Sequence, residues 1–253
     1  NVICKGITFY GDVNFENTTF QRDAVFNETK FLTAANFNAT RFLGEASFNM
    51  SRFPDSGNFD FACFNRVADF ESVWFDKFAT FYNATFMEDA QFAFSEFNGA
   101  YANFESARCI GEIYFYGSQF NSYCTFSDAR LEKDADFHAI KCSNGVGFLR
   151  TQFSGLAYFA RSRFIADSIF SQAYFNDTAD FSIATFDGPV FFNDTVFCSD
   201  ANFDNAQFLA PTDISHAAFN GDLKMNSTKI ARMVLDGSTF SKGSRLYLAN
   251  ADI

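Results

Sequence analysis

The residues able to do chemistry are few and far apart. His138 and His216 are the only histidines. General acid–base catalysis or metal binding would need one of them beside a carboxylate, a nucleophile or a second ligand. There is no HExxH, no CxxC, no Ser/His/Asp grouping and no Gly-rich phosphate loop. Carboxylates are scattered, and the Ca²⁺-binding nonapeptide of β-rolls is missing. The pattern predicts no catalytic residue, no metal ligand set and no cofactor, so the chain does not read as an enzyme. Two groups remain that could be modified. Eight Asn-x-Ser/Thr sequons stand at Asn17, Asn27, Asn38, Asn49, Asn83, Asn176, Asn193 and Asn226. In an exported protein these are N-glycan acceptors. Six cysteines complete the set.

All of these residues hang on one repeat. Starting at Phe15, Phe recurs at intervals of five and six: 20, 26, 31, 37, 42, 48, 53, 59 and onward. Of 40 such centres between 15 and 230, 34 are Phe, and Cys109, Leu131, Cys142, Ile214, Met225 and Ile230 fill the rest. The residue two before each centre is almost always small, as at Ala35, Thr40, Ala46, Ser51 and Gly57, while the residue between is unrestricted. One large and one small residue inward with a free residue between them is strand alternation, not helix periodicity. Two intervals of five and two of six close a square of about 22 residues. Phe15, Phe37, Phe59 and Phe81 then stack about 4.8 Å apart. The extra residue within "NGAYAN" (98–103) reads as one bulged corner that preserves the register beyond it. The expectation is an all-β, quadrilateral parallel β-helix of about 11 coils with a Phe-stacked core. It forms a single domain over 1–253, less regular in 231–253.

The "A-x-F-x-x-A/T-x-F" pattern resembles the pentapeptide-repeat family in its Phe-centred form, over nearly the whole chain. The regular sixth residue in every second unit departs from the family pattern. The resemblance implies a right-handed quadrilateral β-helix with the centre and minus-two residues inside. For function it implies little beyond one precedent, since some members inhibit DNA gyrase as DNA mimics.

Register also sorts the outside. Cys4, Cys109, Cys142 and Cys124 fall at inward positions and read as buried thiols. Cys63 and Cys198 fall outside, as candidate intermolecular crosslinks. Asn14, Asn36 and Asn58 share a column and suggest a hydrogen-bonded ladder. Asp69, Asp136 and Asp180 line another column. Lys30, Arg52, Lys141, Arg163 and Lys229 make a basic one, as do Arg41, Arg108 and Arg130. Ile169 with Phe191, and Tyr174 with Val196, predict one outward apolar patch for a partner, with Trp74 a further contact.

The net charge of −11 argues against binding nucleic acid or anionic membranes. No apolar run is long enough for a membrane helix. The sequence opens on Asn1 rather than Met, which favours a signal segment already removed. These features together predict a secreted, glycosylated structural protein of a prokaryotic cell-surface layer, sheath or extracellular filament. Its partner would be itself, through end-to-end and lateral solenoid packing. The alternatives are a DNA-mimic topoisomerase inhibitor and a non-catalytic interaction scaffold within a larger surface protein.

Overall fold

A computed structural model describes residues 1–252 as a parallel β-solenoid, with no helix among them. Most of its 43 strands are two residues long, and each pairs with the strand about 22 residues away. Four strand positions per coil make four faces. Face one carries Ala24–Val25 and Ala46–Ser47, and face two carries Lys30–Phe31 and Arg52–Phe53. Face three carries Ala35–Asn36 and Ser56–Asn58, and face four carries Arg41–Phe42 and Cys63–Phe64. Faces one and four are sheets of 12 and 11 strands. Faces two and three merge into a 20-stranded sheet, because Gln207–Asp213 runs as one strand through the corner between them.

The centres point inward and their rings stack along the rod. Phe59 lies 4.9 Å from Phe37 and 4.9 Å from Phe81, with planes within 4° of parallel. It also meets Phe48 and Phe70 edge-on at 5.2 and 5.1 Å. The columns of faces one and three therefore interlock along the axis, in the two geometries that the ring quadrupole favours. These axial columns are unbroken Phe from Phe26 to Phe203 and from Phe15 to Phe192. Between Phe15 and Phe208 the residues that replace Phe, Cys109, Leu131 and Cys142, all lie on faces two and four, and in the first coil Cys4 holds the face-one centre.

The alternation of five and six has a physical cause. Up to Ile230 each five-residue interval holds a tight turn, such as Phe15–Thr18, closed by the Thr18 amide donating to the Phe15 carbonyl at 2.9 Å. The third residue of these turns has positive φ, the mark of a type II turn. Twenty of these positions are not glycine, and they include Phe61, Phe94 and the β-branched Ile183. Their amides donate to the next coil, Ile183 N to Asp204 O at 2.9 Å, which holds the strained residue in place. The six-residue corners are wider and have no positive φ apart from Gly145, and Gly243 takes one in the eight-residue corner between Phe240 and Leu248. The one seven-residue corner lies at 98–103, as the sequence implies. There a Cβ on Gly99 would fall 1.5 Å from the Lys77 carbonyl oxygen, so only glycine fits. Beyond it the pairing resumes, Thr80 with Asn103 and Asn103 with Thr125.

The minus-two residues have a second task. After tight turns they are often Ser or Thr, and the hydroxyl donates to a centre carbonyl of the preceding coil. Thr40 reaches Phe15 O at 2.8 Å and Thr195 reaches Phe170 O at 2.7 Å. The Asn column is a correction. Only Asn36 donates to Asn14 across coils, at 3.3 Å. Instead the Oδ1 atoms of Asn14, Asn36 and Asn58 accept the backbone amide two residues on, at 2.9, 3.0 and 2.9 Å. Asp69, Asp136 and Asp180 cap their tight turns in the same way. A short polar side chain just before a centre thus stabilises the turn that follows. Past Ile230 the inward side chains Leu235, Phe240 and Leu248 are exposed, in keeping with the weaker pattern there.

Two outcomes follow for stability in urea. Phe59→Ala should cost about 3–5 kcal/mol through the cavity it leaves, while the outward Arg41→Ala should be silent. Ile183→Asn should raise stability by about 1 kcal/mol, because Asn accepts the left-handed conformation that a β-branched residue resists.

Candidate interaction surface

The interior is filled by rings, so any site must lie on the outward columns. The histidines do not meet. His138 holds Asp136 Oδ1 at 2.6 Å through Nδ1 and stacks on Tyr116 at 4.1 Å. His216 occupies the positive-φ position of a different corner.

The apolar residues form a longer feature. Phe78, Tyr101 and Tyr123 are register partners on three successive coils at the edge of face three. The rings of Tyr101 and Tyr123 are parallel, 6.0 Å apart. The Tyr123 ring then lies over bare backbone. A Cβ on Gly145 would come 3.5 Å from its ring, and one on Gly147 would come 2.8 Å from its hydroxyl. Gly147 pairs with Ile169, and Ile169 with Phe191. One stripe therefore runs from Phe78 to Phe191, about 24 Å along the rod. Phe78 is 47% exposed and Tyr123 38%. Partial burial pushes the Tyr101 hydroxyl up to about 12, with Glu105 adding to the shift.

The predicted contact residues divide. Ile169 and Phe191 belong to this stripe. Tyr174 and Val196 pair with each other on face four, past a polar corner where Ser171 Oγ meets Asn193 Oδ1 at 2.6 Å. The single patch expected from sequence is thus two strips, because the tight turn between them presents polar side chains. Trp74 sits on face two between Arg52 and Glu96, outside both strips. Sequence reasoning missed Tyr101 and Tyr123. The inserted residue makes the Phe78–Tyr101 step 23 residues, which hides the column from a search at 22.

All six cysteines are free thiols. Cys109, Cys124 and Cys142 are buried, and burial raises each thiol well above its usual range. Cys63 and Cys198 are half-exposed on the outside, with Cys63 Sγ 3.2 Å from Asn65 Oδ1. The hydrogen bond with Cys198 raises the Tyr174 hydroxyl.

The sequons also acquire a structural account. In those of Asn27, Asn38, Asn49, Asn193 and Asn226, the third residue is a buried minus-two Ser or Thr. Four of these hydroxyls tie coils together: Thr29, Thr40, Thr195 and Thr228. Asn17 and Asn176 are the exposed acceptors, and Asn176 Nδ2 donates to the Ser154 carbonyl at 3.2 Å.

A Phe-centred solenoid with small minus-two residues and paired tight and wide corners defines a class of repeat protein. The family model for pentapeptide repeats (9 copies) matches residues 5–49, 81–130, 95–141 and 170–217, more than half of the chain. The chain belongs to the pentapeptide-repeat family. Among solved structures it is similar to HetL, a pentapeptide repeat protein involved in heterocyst differentiation regulation from the cyanobacterium Nostoc sp. The two share 14% identity over 96% of this chain and 90% of that one, with a TM-score of 0.31. No curated protein sequence matches the chain.

The cysteine environments predict a labelling pattern. In native protein a maleimide should modify Cys63 and Cys198 quickly and leave Cys109, Cys124 and Cys142 untouched until denaturant is added. Peptide mapping by mass spectrometry reads this directly.

Proposed function

We propose that this chain is a non-catalytic structural rod of the cell exterior, a glycosylated subunit of a prokaryotic surface layer, sheath or extracellular filament. The observation that carries the reading is the stripe from Phe78 to Phe191. An apolar strip of this length on a rod favours burial against a partner. The partner proposed is a second copy of the chain. Two straight stripes with the same coil spacing are complementary when they pack across a two-fold axis. Tyr174 and Val196 supply a second lateral contact, with Cys63 and Cys198 placed to crosslink neighbours in an oxidising compartment. Glycans are proposed at Asn17 and Asn176, whose side chains face solvent.

A DNA-mimic role draws less support. The carboxylates of Asp69, Asp136 and Asp180 are engaged in capping turns. Lys224 interrupts the same column beyond Asn202, and the basic pairs Lys30/Arg52 and Lys141/Arg163 line a neighbouring face.

Sedimentation velocity and light scattering of natively purified protein test the assembly. Concentration-dependent dimers or longer species are expected. Phe191→Asp and Tyr123→Asp should return the protein to monomer without lowering its melting temperature. A wild-type chain that stays monomeric at high concentration would exclude the self-association reading. Intact mass of the same material should carry glycan-sized additions.

A further inference from the structure

We propose that the corner between faces three and four holds a binding groove for a linear polysaccharide bearing sulfate or phosphate esters. This inference is independent of the assembly stripe, whose rings on the same coils, Phe78, Tyr101 and Tyr123, lie at the opposite edge of face three.

The groove crosses four successive coils and encloses about 530 Å³. One wall is a run of the positive-φ column: Asn83, Ser106, Asp128 and Arg150. The other wall is a run of the outward residues of face four: Thr85, Arg108, Arg130 and Gln152, each in register with the next. Between the two walls the chain passes through the buried minus-two residues Ala84, Ala107, Ala129 and Thr151, whose side chains face the core. The same geometry exists at every tight corner. It deepens here because short Asn83 and Ser106 face long Arg108 and Arg130.

The charges are arranged for an anion. Arg150 clamps Asp128 with two bonds, Nε at 2.7 Å and Nη2 at 2.6 Å, which neutralises the one carboxylate in the walls. This clamp lowers the Asp128 carboxyl below its ordinary value and raises the Arg150 guanidinium. Arg108 spends Nε on Glu132 at 2.7 Å and keeps its Nη groups. Arg130 is exposed and has no ion-pair partner among the described residues. Arg108 and Arg130 are direct register partners. Like charges on adjacent rungs are unfavourable, and an oxyanion between two guanidinium forks relieves that repulsion through charge-assisted bonds.

The neutral residues select the rest of the ligand. Asn83, Thr85, Ser106 and Gln152 offer hydrogen bonds suited to sugar hydroxyls. A single-stranded nucleic acid offers bases in place of sugar hydroxyls to these neutral side chains. The walls also hold no aromatic ring on which a base could stack.

The test is binding of fluorescently labelled dextran sulfate to the full chain at low ionic strength, with unsubstituted dextran, inorganic sulfate and a single-stranded oligonucleotide as competitors. Dextran sulfate should bind, and the three competitors should displace it weakly. Arg130→Gln should weaken binding by about tenfold, the loss expected for a charged hydrogen bond. Because that side chain makes no hydrogen bond or ion pair among the described residues, the variant keeps its fold. Arg150→Gln should also weaken binding, by freeing Asp128 in the groove. Arg163→Gln, an equal change of charge on face two, should leave binding unchanged. The proposal is overturned by absent binding, by equal losses in Arg130→Gln and Arg163→Gln, or by inorganic sulfate or the oligonucleotide binding as tightly as the polymer.

Discussion

The structure depends on the match between two spacings. Parallel strands repeat at about 4.8 Å, and the axial rings stack at nearly the same distance, 4.9 Å for Phe48 on Phe70 and for Phe59 on Phe81. A flat ring placed once per coil therefore stacks without stretching the ladder. Branched aliphatic side chains have no flat face to stack in this way. This explains why the axial columns are Phe throughout from Phe15 to Phe203, while the flanking columns accept Cys109, Leu131 and Cys142 over the same span. The axial rings are also gripped edge-on from the opposite column. A flanking ring such as Phe64 is stacked at 4.9 Å but meets Phe70 more loosely, at 5.8 Å.

The corners transmit this constraint to the surface. A closed coil needs four of them, and the sequence spends five residues on one kind and six on the other. The five-residue kind is compact because one residue adopts positive φ. For a non-glycine residue that costs roughly 1–2 kcal/mol. The forward amide bond and the capping side chain offset the cost, and the hydroxyl of a minus-two Ser or Thr adds a tie to the coil before. Tight corners are thus the places where neighbouring coils are fastened, and their side-chain preferences follow from backbone needs.

This division sets what could be read from sequence. The core was legible because burial repeats a demand at fixed positions, so that even Cys142 and Met225 announce themselves by register. The coil length, the bulge at Gly99 and the sides on which Cys63 and Cys124 lie all come from the same count. The Asn column was misread because a column of like residues suggests contacts along it. Each Oδ1 in fact serves its own turn two residues on, a local motif that the 22-residue view overlooks. The sequons show the same confusion of causes. Thr40 and Thr195 complete an Asn-x-Thr pattern because a hydroxyl is wanted inside. The aromatic stripe was only half visible, since the insertion that creates its geometry also shifts Tyr101 out of step with Phe78.

Function in such a molecule belongs to positions that the core leaves free. Centre and minus-two residues are fixed by packing, and the residue before the centre on faces one and three is often claimed by turn capping. Ile169 and Phe191 break that rule. They stand where Asn14 and Asn36 cap their turns in earlier coils, so their tight turns forgo a side-chain cap. Arg150 likewise occupies a positive-φ position that Asn or Gly would fill at lower cost. Departures from the locally best residue at these outward positions have no explanation in the packing of the core. They are where an outward contact is the simplest physical reason for the residue present. The stripe and the groove are each built around such departures at different residues, Ile169 and Phe191 in one and Arg150 in the other, so a change in one leaves the stacked rings and the other surface intact.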